Sequence, residues 1–197
     1  MLISSADLVN DIADLGSRHA YNNYLMSEHI WLLKEKHGDA YLSVYHDLKI
    51  AVSTQLDVPV KNVAIVGSAK FGYSLTPEKN FRSFTPESDL DLVIVSPVVF
   101  NDLWSKFLDY AERPFTKQPH PYAECAKNVF KHFVSVKSED IVGDQAEYFS
   151  DWVKKMDDLK RTLQTSFKLP AEINYRVYDE WKYVERYYCA GLTRLAE

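Results

Sequence analysis

The sequence predicts an α+β fold in which one small mixed β-sheet is flanked by helices. Two observations lead to this prediction. Short apolar runs of strand length lie at 63–66 and 92–95 and are separated by a polar segment. Longer segments around them repeat apolar residues at steps of three and four, the period of an amphipathic helix. The 197 residues fit a single domain over 1–197, with N-terminal helices over 1–58 and an α/β core with a C-terminal helix over 59–197.

The N-terminal third is predicted to be helical. Residues 5–20 and roughly 22–56 both carry the helical repeat of apolar side chains. Gly38 interrupts the second segment, and Asp39 is expected to be the N-cap of the helix that follows it. Pro59 closes that helix, because proline removes a backbone donor and clashes with the preceding turn.

The core is predicted to alternate between strands and helices. The strands are expected at 62–66, 89–95, 128–136 and 171–178. The helices are expected at 67–74, from Pro97 to Leu108, at 145–166 and at 179–195. The prolines and the lack of periodicity at 75–87 and 114–124 indicate loops.

The composition excludes several classes of protein. Apolar residues make up 46% and charged residues 26% of the chain, as in an ordinary soluble globular protein. A net charge of −5 argues against a basic nucleic-acid coat, although a local basic groove stays open. Cys125 and Cys189 lie far apart without a CxxC pair, which argues against a zinc site and suits a reducing cytosol. Without a leader or an apolar run of about 18 residues, we expect a cytoplasmic protein without membrane contact.

The most informative motif joins the ends of the first two predicted strands. Gly67 and Ser68 follow the first strand, and Ser88, Asp89 and Asp91 stand at the start of the second. The two aspartates point to the same face about 7 Å apart, because successive side chains of a strand alternate. Two neighbouring carboxylates repel each other, and a divalent cation or a shared proton usually relieves this repulsion. The Gly-Ser turn offers close backbone approach, N–H groups and a hydroxyl to a phosphate, so the sequence predicts a magnesium–nucleotide site.

This combination resembles the DNA polymerase β-like nucleotidyltransferase superfamily, strongly over 62–96 and more loosely in the order of the surrounding elements. The resemblance implies a palm-type sheet and the transfer of a nucleoside monophosphate from an NTP, most often ATP, to a hydroxyl. It also implies that Asp89 and Asp91 are catalytic and bind two Mg²⁺ or Mn²⁺ ions. Ser68 then bonds a β- or γ-phosphate oxygen beside Gly67, and Ser88 belongs to the same nucleotide-binding set.

Two cations are further candidates for phosphate binding. Lys70 follows the Gly-Ser turn and either reaches the triphosphate or is an exposed helix lysine. Arg176 on the last strand is expected to bind pyrophosphate or an acceptor phosphate. The segment 75–87 is longer than in most short members of the superfamily and carries Lys79 and Arg82. It either folds over the nucleotide or is a solvated surface excursion.

Active members of the superfamily usually carry a third carboxylate on a later strand. The corresponding strand alternates, with Glu172, Asn174 and Arg176 on one face and Ile173, Tyr175 and Val177 on the other. Asn174 or Arg176 then occupies the position where an aspartate is expected. Glu172 is the acid available there and is therefore a candidate catalytic residue. The site uses two carboxylates, recruits Glu172, or is inactive.

The predicted function is therefore metal-dependent nucleotidyl transfer to a hydroxyl of an RNA, a protein, a small molecule or another nucleotide. Compact bacterial relatives often belong to toxin–antitoxin or anti-phage defence modules, so the resemblance also implies a partner protein. The alternative is a catalytically inactive nucleotidyltransferase-like module that binds a nucleotide or a partner. A metal-dependent hydrolase is the third possibility, but it leaves the Gly-Ser turn without a role.

Overall fold

The computed structural model describes residues 3–113, 120–136, 145–170 and 172–196. Their fold is α+β, with one open, mixed four-stranded sheet whose two faces are covered by helices. The strands are β1 (Val63–Val66), β2 (Leu90–Val95), β3 (Phe133–Val134) and β4 (Ile173–Tyr178). Their order in the sheet is β1-β2-β4-β3, and only the central pair β2–β4 is parallel. The predicted fold class is confirmed at this level.

The helices of the described residues follow the predicted periodicity in most places. They are α1 (Ser5–Leu15), α2 (Ser17–Ala20), α3 (Trp31–His37), α4 (Tyr41–Leu56), α5 (Ser68–Phe71), α6 (Pro97–Ala111), α7 (His120–Phe130), α8 (Gln145–Phe167) and α9 (Trp181–Thr193). Side-chain caps define two of the starts. The Ser4 hydroxyl accepts the Asp7 N–H at the start of α1, and the Ser96 hydroxyl accepts the Val99 N–H at the start of α6. None of these helices is both long enough and apolar enough to cross a bilayer.

The N-terminal helices are more divided than the sequence predicts. A π-helical turn, Tyr21–Leu25, ends α2, and an irregular stretch follows before α3. The break at Gly38 is confirmed, and its φ of +55° explains why a glycine stands there. The predicted N-cap is wrong, because Asp39 lies inside a 3₁₀ turn. Ala40 directly precedes α4, and no side chain caps that helix.

The region before β4 differs most from the prediction. The predicted strand 128–136 is wrong over its first part, because α7 continues to Phe130 and only Phe133–Val134 pairs with β4. His132 has a φ of +59°, a left-handed turn that ends the helix and starts the strand. The predicted loop 114–124 is replaced by α7 from His120 onward, while 114–119 and the strand residue 171 lie outside the described residues.

The register of the sheet decides which side chains meet. Val66 lies opposite Asp91 in the antiparallel β1–β2 pair, and Asp91 lies opposite Asn174 in the parallel β2–β4 pair. One face of the sheet packs in the hydrophobic core with α4 and α8, through side chains such as Leu92 and Tyr175. The other face, which carries Asp91 and Asn174, lies towards α1 and α9.

Candidate functional site

The turn after β1 lies directly against the start of β2. Gly67 has a φ of +70°, and a Cβ placed on it would lie 2.6 Å from Oδ2 of Asp91. No real side chain tolerates that distance, so the close approach depends on glycine. Ser68 follows as the first residue of α5. The structure thus brings together the two halves of the motif that the sequence singled out.

Each aspartate of the motif has a partner on β4. Asn174 donates from Nδ2 to Oδ2 of Asp89 at 2.9 Å. The Nη1 atom of Arg176 lies 3.6 Å from Oδ1 of Asp91, an ion pair whose side chains are about one quarter exposed. Both contacts follow from the alternation on β4, which puts these two residues on the same face as the aspartates. A neutral amide and a guanidinium therefore stand where a third carboxylate was sought.

Arg176 is fixed by aromatic neighbours as well as by Asp91. Its Nη1 donates to the hydroxyl of Tyr188 at 3.3 Å, and its Cζ lies 5.5 Å and 5.8 Å from the ring centroids of Tyr187 and Phe133. Burial by itself lowers the pKa of Arg176, but Tyr188 and Asp91 outweigh burial and raise it. The guanidinium is thus a permanent positive charge held beside the carboxylates.

A cavity of about 840 Å³ contains both halves of the motif. Its walls come from the Gly-Ser turn, the segment 74–82, the start of β2 and the C-terminal half of α9. Six cations and four anions of the described residues line it, namely Lys79, Arg82, Lys131, Arg176, Arg186 and Arg194 against Glu78, Glu87, Asp89 and Asp91. The whole chain has the opposite balance, with 23 basic and 28 acidic residues. This concentration of positive charge favours a polyanionic ligand.

The segment 75–87 forms one wall of the cavity. It is folded back as a hairpin, with hydrogen bonds from Ser74 N–H to the Arg82 carbonyl at 2.9 Å and from Phe84 N–H to the Gly72 carbonyl at 2.8 Å. The Phe84 ring packs against Trp31 at 5.6 Å. The segment is ordered by these contacts, and most of its residues are exposed, as expected of a surface excursion. Closure over a nucleotide stays a prediction.

Helix α9 supplies a wall that the sequence interpretation missed. Its Tyr183, Tyr187 and Tyr188 pack against the hydrophobic core and also line the cavity, together with Arg186 and Arg194. Their spacing of three and four residues places most of them on one side of the helix. A basic and aromatic stripe of this kind is the signal that could have identified the wall.

Of two further predicted site residues, Ser88 lines the cavity and Glu172 does not. Ser88 lines the cavity, and its hydroxyl accepts the Thr85 N–H at 2.9 Å, which holds the turn before β2. Glu172 is exposed and is not among the residues that line the cavity. Its carbonyl accepts the Leu90 N–H at 3.0 Å just before β4 begins. The Glu172 side chain therefore lies outside the lining of the cavity, although its backbone pairs beside the aspartates.

Lys70 lies on the other side of the Gly-Ser turn from the cavity. Its side chain is 2% exposed, and Nζ donates to the carbonyls of Ser27 at 2.7 Å and His29 at 3.0 Å. Both alternatives for Lys70, contact with a triphosphate and an exposed helix lysine, are therefore corrected, because the first turn of α5 directs this side chain into the protein. Burial is the main cause that lowers the pKa of Lys70 to about 7, with Lys49 contributing and Glu28 opposing.

The buried ammonium gives a testable pH dependence. Between pH 7 and 10 the unfolded chain keeps a proton on Lys70 that the folded chain has lost, so stability rises with pH in this window. Relative to Lys70→Met, the free energy of unfolding of the native protein is expected to rise by up to about 1.4 kcal/mol per pH unit. Urea titrations at pH 7 to 9.5 measure this slope. The exposed Lys79→Met variant is the control, and parallel curves for the native protein and Lys70→Met contradict the expectation.

The oxygen atoms at and beside the aspartate pair fit a divalent cation. Asp89 and Asp91 line the cavity and offer carboxylates. Asn174 contacts Asp89 without lining the cavity, and its Oδ1 is a buried acceptor without a hydrogen-bond partner. Carboxylate and amide oxygens are the ligands that Mg²⁺ and Mn²⁺ prefer in proteins. No cluster of three or more His, Cys, Asp and Glu side chains suited to a metal occurs in the described parts of the chain. The amide is thus the third donor that this site offers.

No protein-family model, no curated protein and no solved structure matches this chain. The membership of the polymerase β-like superfamily stays a prediction that rests on the Gly-Ser and Asp-x-Asp motifs.

Proposed function

We propose that this protein is a divalent-cation-dependent nucleotidyltransferase that moves a nucleoside monophosphate from an NTP, with ATP the first to test, to a hydroxyl group. The observation that carries the proposal is the contact between Gly67 and Asp91. It joins a turn suited to phosphate with a carboxylate pair, inside a cavity whose charge favours a polyanion. In this proposal the mixed sheet is of the polymerase β-like palm type.

The residues of the cavity divide the task between them. The Mg²⁺ or Mn²⁺ ion, when bound to Asp89 and Asp91, neutralises phosphate charge and activates the attacking hydroxyl. Ser68 and the N–H groups of its turn bind phosphate oxygens in the cavity. Lys79 and Arg82, which also line the cavity, attract the outer phosphates of the NTP and the departing pyrophosphate.

The acceptor hydroxyl belongs to an RNA, a protein or a small molecule in this proposal. The cationic and aromatic wall of α9 supports a large or phosphate-bearing acceptor, because it extends the cavity beyond the carboxylates. A partner protein from the same genetic module is part of the proposal and rests on the resemblance to compact bacterial nucleotidyltransferases.

The test is an assay with radiolabelled ATP and Mg²⁺ or Mn²⁺. Pyrophosphate release and label transfer are expected for the native protein, with a decrease of about 10³-fold in the Asp89→Ala/Asp91→Ala variant. Asp102→Ala/Asp109→Ala is the matched control, since it removes two exposed aspartates of α6. Equal release by the native protein and the Asp89/Asp91 variant contradicts the proposed function.

A specific observation favours the second candidate, a module that binds a nucleotide without turnover. Asn174 and Arg176 contact the two aspartates, and Glu172 stays outside the cavity, so no side chain of β4 brings a carboxylate to the site. Cation-dependent stabilisation of the protein by ATP, without pyrophosphate release, identifies this module. The absence of any ATP binding contradicts both candidates.

A further inference from the structure

The charges around the aspartate pair are already partly balanced by the protein. Asp89 and Asp91 bring two negative charges, and Arg176 contributes one positive charge 3.6 Å from Oδ1 of Asp91. Sites with two metal ions hold them about 3.5–4 Å apart across shared carboxylates. The guanidinium thus places a positive charge beside Asp91, a carboxylate that a second metal ion of such a pair would have to share.

We propose that the site takes a single divalent cation, with Asn174 as a neutral amide ligand and the guanidinium of Arg176 in place of a second cation. This inference rests on the proposed function because it takes the cation to bind together with a nucleotide. It does not require that the protein turns the nucleotide over. It differs from the two-ion arrangement that the resemblance implies, and the difference comes from the side chains of β4.

Asn174 is suited to complete the ligand shell of one divalent cation without adding negative charge. Its Nδ2 already holds Asp89 in place at 2.9 Å, while its Oδ1 is buried and without a hydrogen-bond partner. A buried acceptor that lacks a donor is unfavourable, and a bound cation satisfies it. Because the amide is neutral, it adds a ligand without the third negative charge that helps a site to retain two divalent ions.

Arg176 is suited to act as a fixed cation. The hydroxyl of Tyr188 and the rings of Tyr187 and Phe133 surround its guanidinium, so the charge cannot swing away from Asp91 without loss of these contacts. A guanidinium stays protonated at every pH of interest, in contrast to an ammonium. A second divalent ion at Asp91 would therefore be repelled by the positive charge of Arg176, which is held in place by its neighbours.

Electron paramagnetic resonance of bound Mn²⁺ tests the number of ions directly. The native protein is saturated with Mn²⁺ and α,β-methylene-ATP, an analogue with a non-cleavable bond at the α-phosphorus. We expect one Mn²⁺ per chain with an isolated six-line spectrum. Two ions about 3.5–4 Å apart would give a spin-coupled spectrum. A coupled pair in the native protein overturns the inference.

Three variants test the role of Arg176. Arg176→Met is expected to gain a second, coupled Mn²⁺, and Arg176→Lys is expected to keep one. Arg186→Met removes the same charge from an exposed position of the same cavity and is expected to keep one ion. If Arg176→Met folds, as thermal melting shows, and still binds one ion, the guanidinium is not the reason and the inference is overturned.

Asn174→Ala tests the amide ligand. We expect its Mn²⁺ affinity to fall by about tenfold, as for other lost metal-site contacts. An unchanged affinity overturns the assignment of Asn174.

These results separate the inference from the proposed function, because one Mn²⁺ without pyrophosphate release supports the inference alone. Two coupled Mn²⁺ with release support the function alone, and no bound Mn²⁺ contradicts both.

Discussion

Gly67→Ala is expected to abolish cation-dependent ATP binding and to lower the free energy of unfolding by about 1–3 kcal/mol. The new methyl group would lie 2.6 Å from Oδ2 of Asp91, and a φ of +70° is strained for alanine. Relief of the clash moves either the Gly-Ser turn or the carboxylate. Both movements separate the Gly-Ser turn from the proposed cation site. Calorimetric titration with Mn²⁺ and ATP measures the binding, and urea denaturation measures the stability.

Two other glycines provide controls for this variant. Gly72→Ala also combines a positive φ, +84°, with a clash, since its Cβ would lie 2.9 Å from the ring of Trp31. It is expected to lose comparable stability but to keep ATP binding, because Gly72 does not line the cavity. Gly191 lines the cavity and has open space around its Cα, so Gly191→Ala is expected to change neither property. Equal losses of binding in Gly67→Ala and Gly72→Ala would show that instability alone explains the result.

Asn174→Asp is expected to make the stability of the protein depend more strongly on divalent cations. Without a cation, the new carboxylate faces Asp89 and Asp91 and the Nδ2 donor to Asp89 is lost. We expect the free energy of unfolding to fall by about 1–3 kcal/mol at pH 7. With saturating Mn²⁺ the third carboxylate becomes a ligand, and the affinity for the cation is expected to rise at least about tenfold. Thermal melting with and without Mn²⁺ measures both changes.

The matched control for this prediction is Asn101→Asp, which makes the same exchange at an exposed position of α6. Its melting temperature is expected to respond to Mn²⁺ as that of the native protein does. A melting temperature of Asn174→Asp that does not depend on Mn²⁺ would mean that β4 does not face a cation site.

Local patterns were sufficient to predict most of the architecture. The apolar runs at 63–66 and 92–95 became β1 and β2, and the alternation after Pro170 correctly placed Asn174 and Arg176 on one face of β4. Periodicity of this kind depends only on residues that are close along the chain, so it can be recognised in the sequence. The same alternation predicted that an amide or a guanidinium takes the position of the missing carboxylate, and both contact the aspartates.

Features that depend on distant contacts were not predictable in this way. The end of α7 and the start of β3 depend on a left-handed residue, His132, whose ring stacks on Tyr183 of α9 at 3.7 Å. Lys70 is close to Ser68 in sequence, but the direction of its side chain is set by carbonyls about forty residues earlier. The exposed position of Glu172 likewise depends on where β4 begins to pair.

The contacts of Lys70 make the N-terminal third of the chain part of the site. The ammonium group fastens α5 to the stretch before α3 through the carbonyls of Ser27 and His29. A fragment that starts at residue 59 would leave this ammonium in water and the Gly-Ser turn unsupported. We therefore expect the Gly-Ser turn to lose its support when it is transplanted by itself, and insertions or deletions around residues 27–29 to disturb the proposed ligand binding at a distance.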